Sequence, residues 1–473
     1  MSRSNARRAL GAAGVLAIVA LGVLGWLAAG ALAVGVGHKA KTVCSGVFVS
    51  GRDTAAVLSE LQTDDLAILR YISASIDVGS QAVTARAIGL ERRAVHRAGL
   101  GCALVLDGLT PPAMPSNGDE TLAPELLSRQ SLVEHPMLDG LSAVVARAFA
   151  EPNPQRPRRT QAVLIIHRGA IVAERYAGGI GPNTPLAGWS MTKSVMNALV
   201  GILVGQGRLS LEGAAPIPEW QQAGDPRSAI TLDHLLRMSS GLRFEDGMSS
   251  PRSDVMRMLF GAGDAAAFAA NSDLAHAPGT RWQYASGTTN ILARIMRTVL
   301  GDEVAYLKFP RRALFNRIGM WSAVLETDAG GTFLGSSYMY ATARDWARLG
   351  ILYVQDGVWE GQGVLPEGWV AYSITPAPAD PTGRYGAHFW LQVPEEYGGG
   401  ELSVPAFHAA GHEGQFVTIV PSHELVIVRL GRTRFAHSWD HRAFVEDVLA
   451  AMPPEASYNN ARRTPVELAT MRR

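Results

Sequence analysis

The chain has 473 residues, of which 47% are hydrophobic and 18% charged, with a formal net charge of +1. That length allows one large domain with a smaller companion, the composition is that of a globular protein, and the balanced charge gives no electrostatic case for a nucleic-acid partner. The basic residues are nearly all arginine; the lysines are Lys39, Lys41, Lys193 and Lys308.

Ala9 to Gly37 is a 29-residue run without a charged side chain, longer than the ~20 apolar residues a membrane span needs. Arg3, Arg7 and Arg8 precede it, which assigns residues 1–8 to the cytoplasm and the rest of the chain to the extracytoplasmic, periplasmic side. A cleaved signal peptide, with Ala31-Leu32-Ala33 as its cleavage site, is the alternative. The run exceeds the ~7–15 apolar residues of a signal core, so an uncleaved transmembrane helix over 9–37 is the expectation, with the membrane as partner. Export places the two cysteines, Cys44 and Cys102, in an oxidising setting. A disulfide between them is expected there, with two unrelated buried thiols as the alternative. Two cysteines do not make a four-ligand zinc site, and no metal or cofactor is expected.

Residues 38–130 read as a small β-rich lead-in and linker, with Val47-Phe48-Val49 and Ala103 to Leu106 as strands. The linker itself, Thr110 to about Pro124, is marked by Pro111, Pro112, Pro115, Asn117 and Gly118. A β-hairpin follows: Ala162 to Ile166, a turn at His167 to Ala170, then Ile171 to Tyr176. From Ser190 to about Gly319 the pattern is helical. Its first helix carries Val195, Met196, Leu199, Ile202 and Leu203 at helical period and stops at Gly205 and Gly207. Thr231 caps a second helix, with Asp233 in its first turn. Strands return at Phe416 to Val420 and Leu425 to Leu430, before a helix near Arg442 to Met452. Residues 131–453 thus make one α+β domain, an antiparallel sheet built from both chain ends around an inserted helical region. A polar tail, 454–473, follows.

Three short motifs carry chemistry. In Ser190-Met191-Thr192-Lys193 the serine and lysine are three apart, on one helical face, so Oγ and Nζ can meet. A serine needs a base to become a nucleophile, and a lysine serves only if burial or positive charge lowers its pKa. Lysine is so scarce here that a chance pairing loses weight. Tyr284-Ala285-Ser286 precedes a helix from Asn290 to Leu300, and a tyrosine beside a cationic lysine can have a depressed pKa and shuttle protons. Gly411-His412-Glu413-Gly414-Gln415 enters a late strand, where glycines permit close approach to a ligand and a backbone N–H can stabilise an oxyanion. Trp189 reads either as a wall of the pocket or as packing. Thr342 to Asp345 reads as a capping box.

Taken in order with Ile230-Thr-Leu-Asp-His-Leu-Leu-Arg-Met-Ser-Ser-Gly241 and Thr342 to Gly350, these motifs make the chain resemble the serine β-lactamase-related family: class C β-lactamases, DD-peptidases, esterases and 6-aminohexanoate-dimer hydrolases. The resemblance spans about Leu138 to Met452. It implies a β-lactamase/transpeptidase-like fold and an acyl-enzyme on Ser190. Lys193 and Tyr284 would form the base and acid pair, in an order left open. The N–H groups of Ser190 and Gln415 would form the oxyanion hole, with Ser286, His412 and Gly414 lining the substrate site. β-Lactamases of this kind carry asparagine where Ser286 stands and lysine where His412 stands. Loss of that lysine removes a carboxylate anchor, so small amides or esters are the expected substrates. Cell-wall peptides or slow β-lactam turnover are the alternative within the family. A catalytically inactive, membrane-tethered binding protein is the alternative outside enzymes.

Overall fold

The computed structural model describes residues 28–62, 66–114 and 132–452. Its central feature is a six-stranded sheet in the order Phe407–Gly411, Gln415–Val420, Leu425–Gly431, Thr160–His167, Ala170–Tyr176, Val133–Glu134. All neighbours are antiparallel except the last pair. Val428 stands opposite Leu164, so the late strands close onto the early hairpin and the two ends of the domain share one sheet.

Both faces of this sheet are covered. Val163, Ile165 and Ile427 pack with Leu141, Val145, Val445 and Val448 of the helices Asp139–Ala148 and His441–Ala451. Leu164, Val417, Val426 and Val428 face the helix Ala343–Val354, where Gly350 lets the helix backbone approach Val417 and Val426. Double-sided burial explains why these strands are continuous apolar runs rather than alternating ones. Between hairpin and late strands lie the helices Thr192–Gly205, Leu232–Leu236, Asp254–Gly261, Ala265–Ala270 and Ser286–Leu300. The cap at Thr231 is as expected, its hydroxyl accepting from His234 N–H. Only half of the capping box at Thr342 forms: its Oγ1 accepts from Asp345 N–H, but the Asp345 carboxylate turns to Ser322.

The N-terminal part is the expected β-rich lead-in only in its second half, where the strand expected at Ala103 to Leu106 overlaps the observed Gly101–Val105; its first half is helical. Residues 28–44 form a helix, and Ser45–Val49, expected as a strand, continues it as a π-helical turn. The helix Thr54–Leu61 follows, then an antiparallel sheet of Ser73–Asp77, Ala82–Ala87, Leu90–Arg97 and Gly101–Val105. Cys44 and Cys102 are joined by a disulfide. This part shares a core with the rest of the domain. Val36, Val43 and Leu69 belong to the same buried cluster as Trp189 and Phe260, and Gly37 lies against the Phe260 carbonyl. Lys41 and Glu326, both fully buried, form an ion pair, and Ser45 Oγ and Cys102 N–H also bind that carboxylate. The linker expected over 110–124 falls mostly outside the described residues, as do 1–27 and the tail from 453. Of the expected span, 28–37 is described, and Val34 to Gly37 are buried by protein. Among the described residues no helix is long and apolar enough to cross a membrane.

Candidate active site

Ser190 sits in a tight turn, Trp189–Met191, immediately before the helix Thr192–Gly205. Trp189 has φ +48°, a conformation a large side chain adopts only when its surroundings enforce it. Three bonds do so: Gly188 N–H donates to Met339 O at 2.9 Å, Thr192 Oγ1 to Trp189 O at 2.7 Å, and Met339 N–H to Thr192 Oγ1 at 3.2 Å. Gly188 is also needed because a side chain there would strike Trp346. The turn aims Ser190 into a cleft and leaves its N–H at the positive end of a 14-residue helix.

Lys193 lies one turn on, 1% exposed. Its Nζ is bonded to Ser190 Oγ at 2.9 Å, Ser286 Oγ at 3.0 Å and Ser336 O at 2.9 Å. Burial lowers its pKa to about 8, against the opposing pull of Asp246. An amine that is partly neutral near pH 8 and touches a serine hydroxyl can take its proton. Ser286, the first residue of the helix Ser286–Leu300, passes the contact on: its Oγ donates to Asp246 Oδ2 at 3.2 Å. Burial raises the Asp246 pKa, and Lys193 opposes the rise.

Tyr284 is hydrogen-bonded to Ser190 and lies with its ring 4.9 Å from Lys193 Nζ. The expectation of a depressed tyrosine pKa is overturned. Burial, reinforced by the Asp246 charge, pushes the phenol up despite its bond to Ser190. Tyr284 is therefore held in its phenol form.

The opposite wall is the strand Phe407–Gly411. His408 and Trp390 exchange N–H···O bonds of 2.7 and 2.9 Å on the strand's outer side. Alternate residues of a strand present their N–H groups to the same side. Gly411 is still extended (φ −139°, ψ 159°), so the alternation turns Ala410 and His412 N–H toward the cleft, and Gly411 toward its ladder partner Gln415. A Cβ on Gly411 would lie 3.1 Å from Ser190 N and closer still to Gly188 O, so only glycine brings this strand against the nucleophile.

The structure thus gathers Ser190, Lys193, Tyr284, Ser286 and His412 around one cleft. Gln415 and Gly414, expected there, sit behind its wall. Gln415 faces Gly411 across the ladder, and its amide binds His412 O and Gly431. Gly414, at φ +80°, turns the hairpin over the buried guanidinium of Arg429, which bonds its carbonyl at 2.8 Å. The backbone donor facing Ser190 belongs to His412 in place of Gln415, because the hairpin turns between them. Trp189 both walls the cleft and packs, edge-on to His412 at 5.4 Å and against Tyr338 at 5.7 Å. Sequence reasoning missed Asp246 and Glu396, which also line the cleft. Asp246 lies in coil and Glu396 in the short 3-10 turn Glu395–Tyr397, neither long enough to carry a periodic signal.

The family model described as Beta-lactamase matches residues 145–449. A 6-aminohexanoate-dimer hydrolase of Paenarthrobacter ureafaciens is 26% identical over 294 residues, 57% of this chain and 72% of that protein. Among solved structures, a penicillin-binding protein homologue from Caulobacter crescentus aligns with a TM-score of 0.50 at 17% identity, over 67% of this chain and 99% of its own. The octameric penicillin-binding protein homologue from Pyrococcus abyssi aligns with a TM-score of 0.50 at 18% identity, over 67% of this chain and 78% of its own. At these identities the structural likeness bears on fold alone, and the fold is the β-lactamase/transpeptidase-like α+β fold.

Proposed function

We propose that this chain, which belongs to the beta-lactamase family, hydrolyses small neutral or cationic amides and esters through an acyl-enzyme on Ser190. The observation that carries the reading is the buried Lys193 amine 2.9 Å from Ser190 Oγ. Neutral Lys193 accepts the hydroxyl proton as Oγ attacks the carbonyl carbon. The N–H groups of Ser190 and His412 receive the developing oxyanion, the largest single contribution in sites of this kind. Tyr284, kept protonated, gives a proton to the departing amine or alcohol, and the Lys193 ammonium re-protonates it. Water then attacks the ester by the reverse path, releasing the acid and restoring Ser190.

Charge around the cleft supports the substrate class. Among the described residues that line it, Asp246 and Glu396 are acidic, while the neighbouring Lys193 ammonium is buried and bonded to Ser190, Ser286 and Ser336. A substrate carboxylate finds no guanidinium or exposed ammonium there, whereas an uncharged or amine-bearing substrate meets no repulsion. The 6-aminohexanoate-dimer hydrolase of similar sequence favours the same side of the family over β-lactam hydrolysis. A panel of 4-nitrophenyl esters, amine-bearing 4-nitroanilides, D-amino-acid peptides and nitrocefin, with Ser190→Ala as control, tests it. Ester and anilide turnover well above nitrocefin turnover is expected; nitrocefin as the best substrate overturns the reading.

The same proposal includes membrane anchoring through Ala9–Gly37 with the hydrolase on the extracytoplasmic side. The run's length, the preceding arginines and the Cys44–Cys102 disulfide, a bond suited to an oxidising compartment, favour it. Retention of the full chain in carbonate-washed membranes is the expected result, and recovery in the soluble fraction the contrary one.

A further inference from the structure

Residues 28–114 lie ahead of the region the family model matches, yet a row of ion pairs from this segment ends beside the nucleophile. Glu60, on the helix Thr54–Leu61, accepts Arg432 Nη1 at 2.7 Å and Arg52 Nη1 at 2.8 Å. Arg432 reaches on to Glu413, with Nε at 3.3 Å from both carboxylate oxygens and Nη2 at 3.2 Å. Glu413 in turn accepts the indole N–H of Trp189 at 3.3 Å. The row passes behind Trp189 and ends one residue before Ser190.

Its far end has an unusual geometry. Trp189 and Glu413 are both non-glycine residues in the left-handed region, at φ +48° and +62°. Each is the chain neighbour of one of the two residues whose N–H groups face the developing oxyanion: Trp189 precedes Ser190, and Glu413 follows His412. Such conformations are strained and persist only where neighbours enforce them. The Trp189–Glu413 hydrogen bond ties the two strained peptides together, and the Trp189 ring stacks edge-on against His412. Glu413 is held in turn by Arg432, and Arg432 by Glu60. The side chains of Arg432, Glu60 and Glu413 are 13%, 21% and 10% exposed, so these pairs are less screened than surface ones.

We propose that Glu60 and Arg432 are positioning residues of the hydrolytic site. Through Glu413 and Trp189 they hold the two oxyanion-facing peptides at their working separation, which makes the N-terminal segment a working part of the active site. This rests on the acyl-enzyme reading above. Loosening the tie weakens an interaction that matures in the transition state, so it lowers kcat and leaves KM nearly unchanged.

The test is steady-state hydrolysis of a 4-nitrophenyl ester by the full chain and by Glu60→Gln, Arg432→Gln and the double variant, with Tm measured for each. Glu91→Gln is the control: it breaks an exposed ion pair with Arg86 in the same segment that has no part in the row. The expected result is a fall in kcat of about tenfold or more, the size that loss of a charge-assisted hydrogen bond gives. KM should stay within about twofold. The double variant should be no worse than Arg432→Gln alone, and Glu91→Gln should match wild type. If Glu60→Gln melts below the assay temperature, Glu60→Asp takes its place, keeping the charge but shortening its reach, and the same drop in kcat at wild-type Tm is expected. Unchanged kcat in folded variants of an active wild type overturns this inference and leaves the hydrolase reading standing. A wild type that neither hydrolyses nor acylates overturns both.

Discussion

Lys193 donates to Ser190 Oγ at 2.9 Å from a position 1% exposed to solvent. A lysine so placed has lost most of its hydration, and that loss pulls its pKa to about 8. Burial sets this shift in the face of a nearby carboxylate, Asp246, that opposes it, and on the proposed mechanism it tunes Lys193 as the base.

The first consequence is a pH profile. Lys193 works in its neutral form, so kcat/KM should rise about tenfold per pH unit below the transition and level off above about pH 8. The folded pKa lies below that of an unfolded lysine, so the unfolded chain binds more protons between the two values. Stability contributed by this group therefore rises as pH increases from about 8 toward 10.5. A kcat/KM profile that falls on raising the pH from 6 to 8 would contradict the assignment of Lys193 as base.

Asp246 is the group to remove next. It raises the Lys193 pKa, so Asp246→Asn should move the ascending limb of the profile to lower pH. It should also erode discrimination in favour of amine-bearing anilides over carboxylate-bearing ones. Paired pH–rate curves on the two substrates read both effects. A limb that moves to higher pH contradicts the electrostatic account.

Gly411 gives a steric test of the corrected strand. A methyl there meets Gly188 O and Ser190 N, so Gly411→Ala should push the strand off the nucleophile turn. A loss in kcat of about 10²-fold or more is expected, comparable to losing an oxyanion donor. Gln415→Glu, behind the wall and bonded to Gly431, should act mainly on stability. Kinetics and melting on the two variants separate these effects; a Gly411→Ala enzyme with wild-type kcat would return the donor to another residue.

The Cys44–Cys102 bridge closes a separation of 58 residues. On chain-entropy grounds it contributes about 4 kcal/mol. Replacing both cysteines by serine should lower the urea midpoint accordingly, and wild type in reductant should match the variant. An unchanged midpoint would mean that Lys41–Glu326 and the shared core already hold the segment.

The sheet and the Ser190–Lys193 contact were legible in the sequence for physical reasons. Fully buried strands leave apolar runs such as Ala162–Ile166 and Leu425–Leu430, and Ser190 and Lys193 lie within one helical turn, where spacing is distance. Asp246 left no trace because it reaches Ser286 from coil. Glu326 left none because its partner Lys41 is 285 residues away. The end of the N-terminal apolar run left no mark in the sequence, because Val34 and Val36 are as apolar as lipid-facing residues while packing in the same buried cluster as Phe260. Gln415 was preferred to His412 because the strand is buried on both sides. Its side chains therefore carry no alternation from which the direction of each N–H could be read.

The most direct test of the central claim is mass spectrometry of the chain after reaction with a fluorophosphonate ester. The account predicts one adduct per chain, on the peptide containing Ser190, forming faster as pH rises toward 8 and absent in Ser190→Ala. Hydrolysis that proceeds without an adduct on Ser190, or a stoichiometric adduct on another residue, would contradict it.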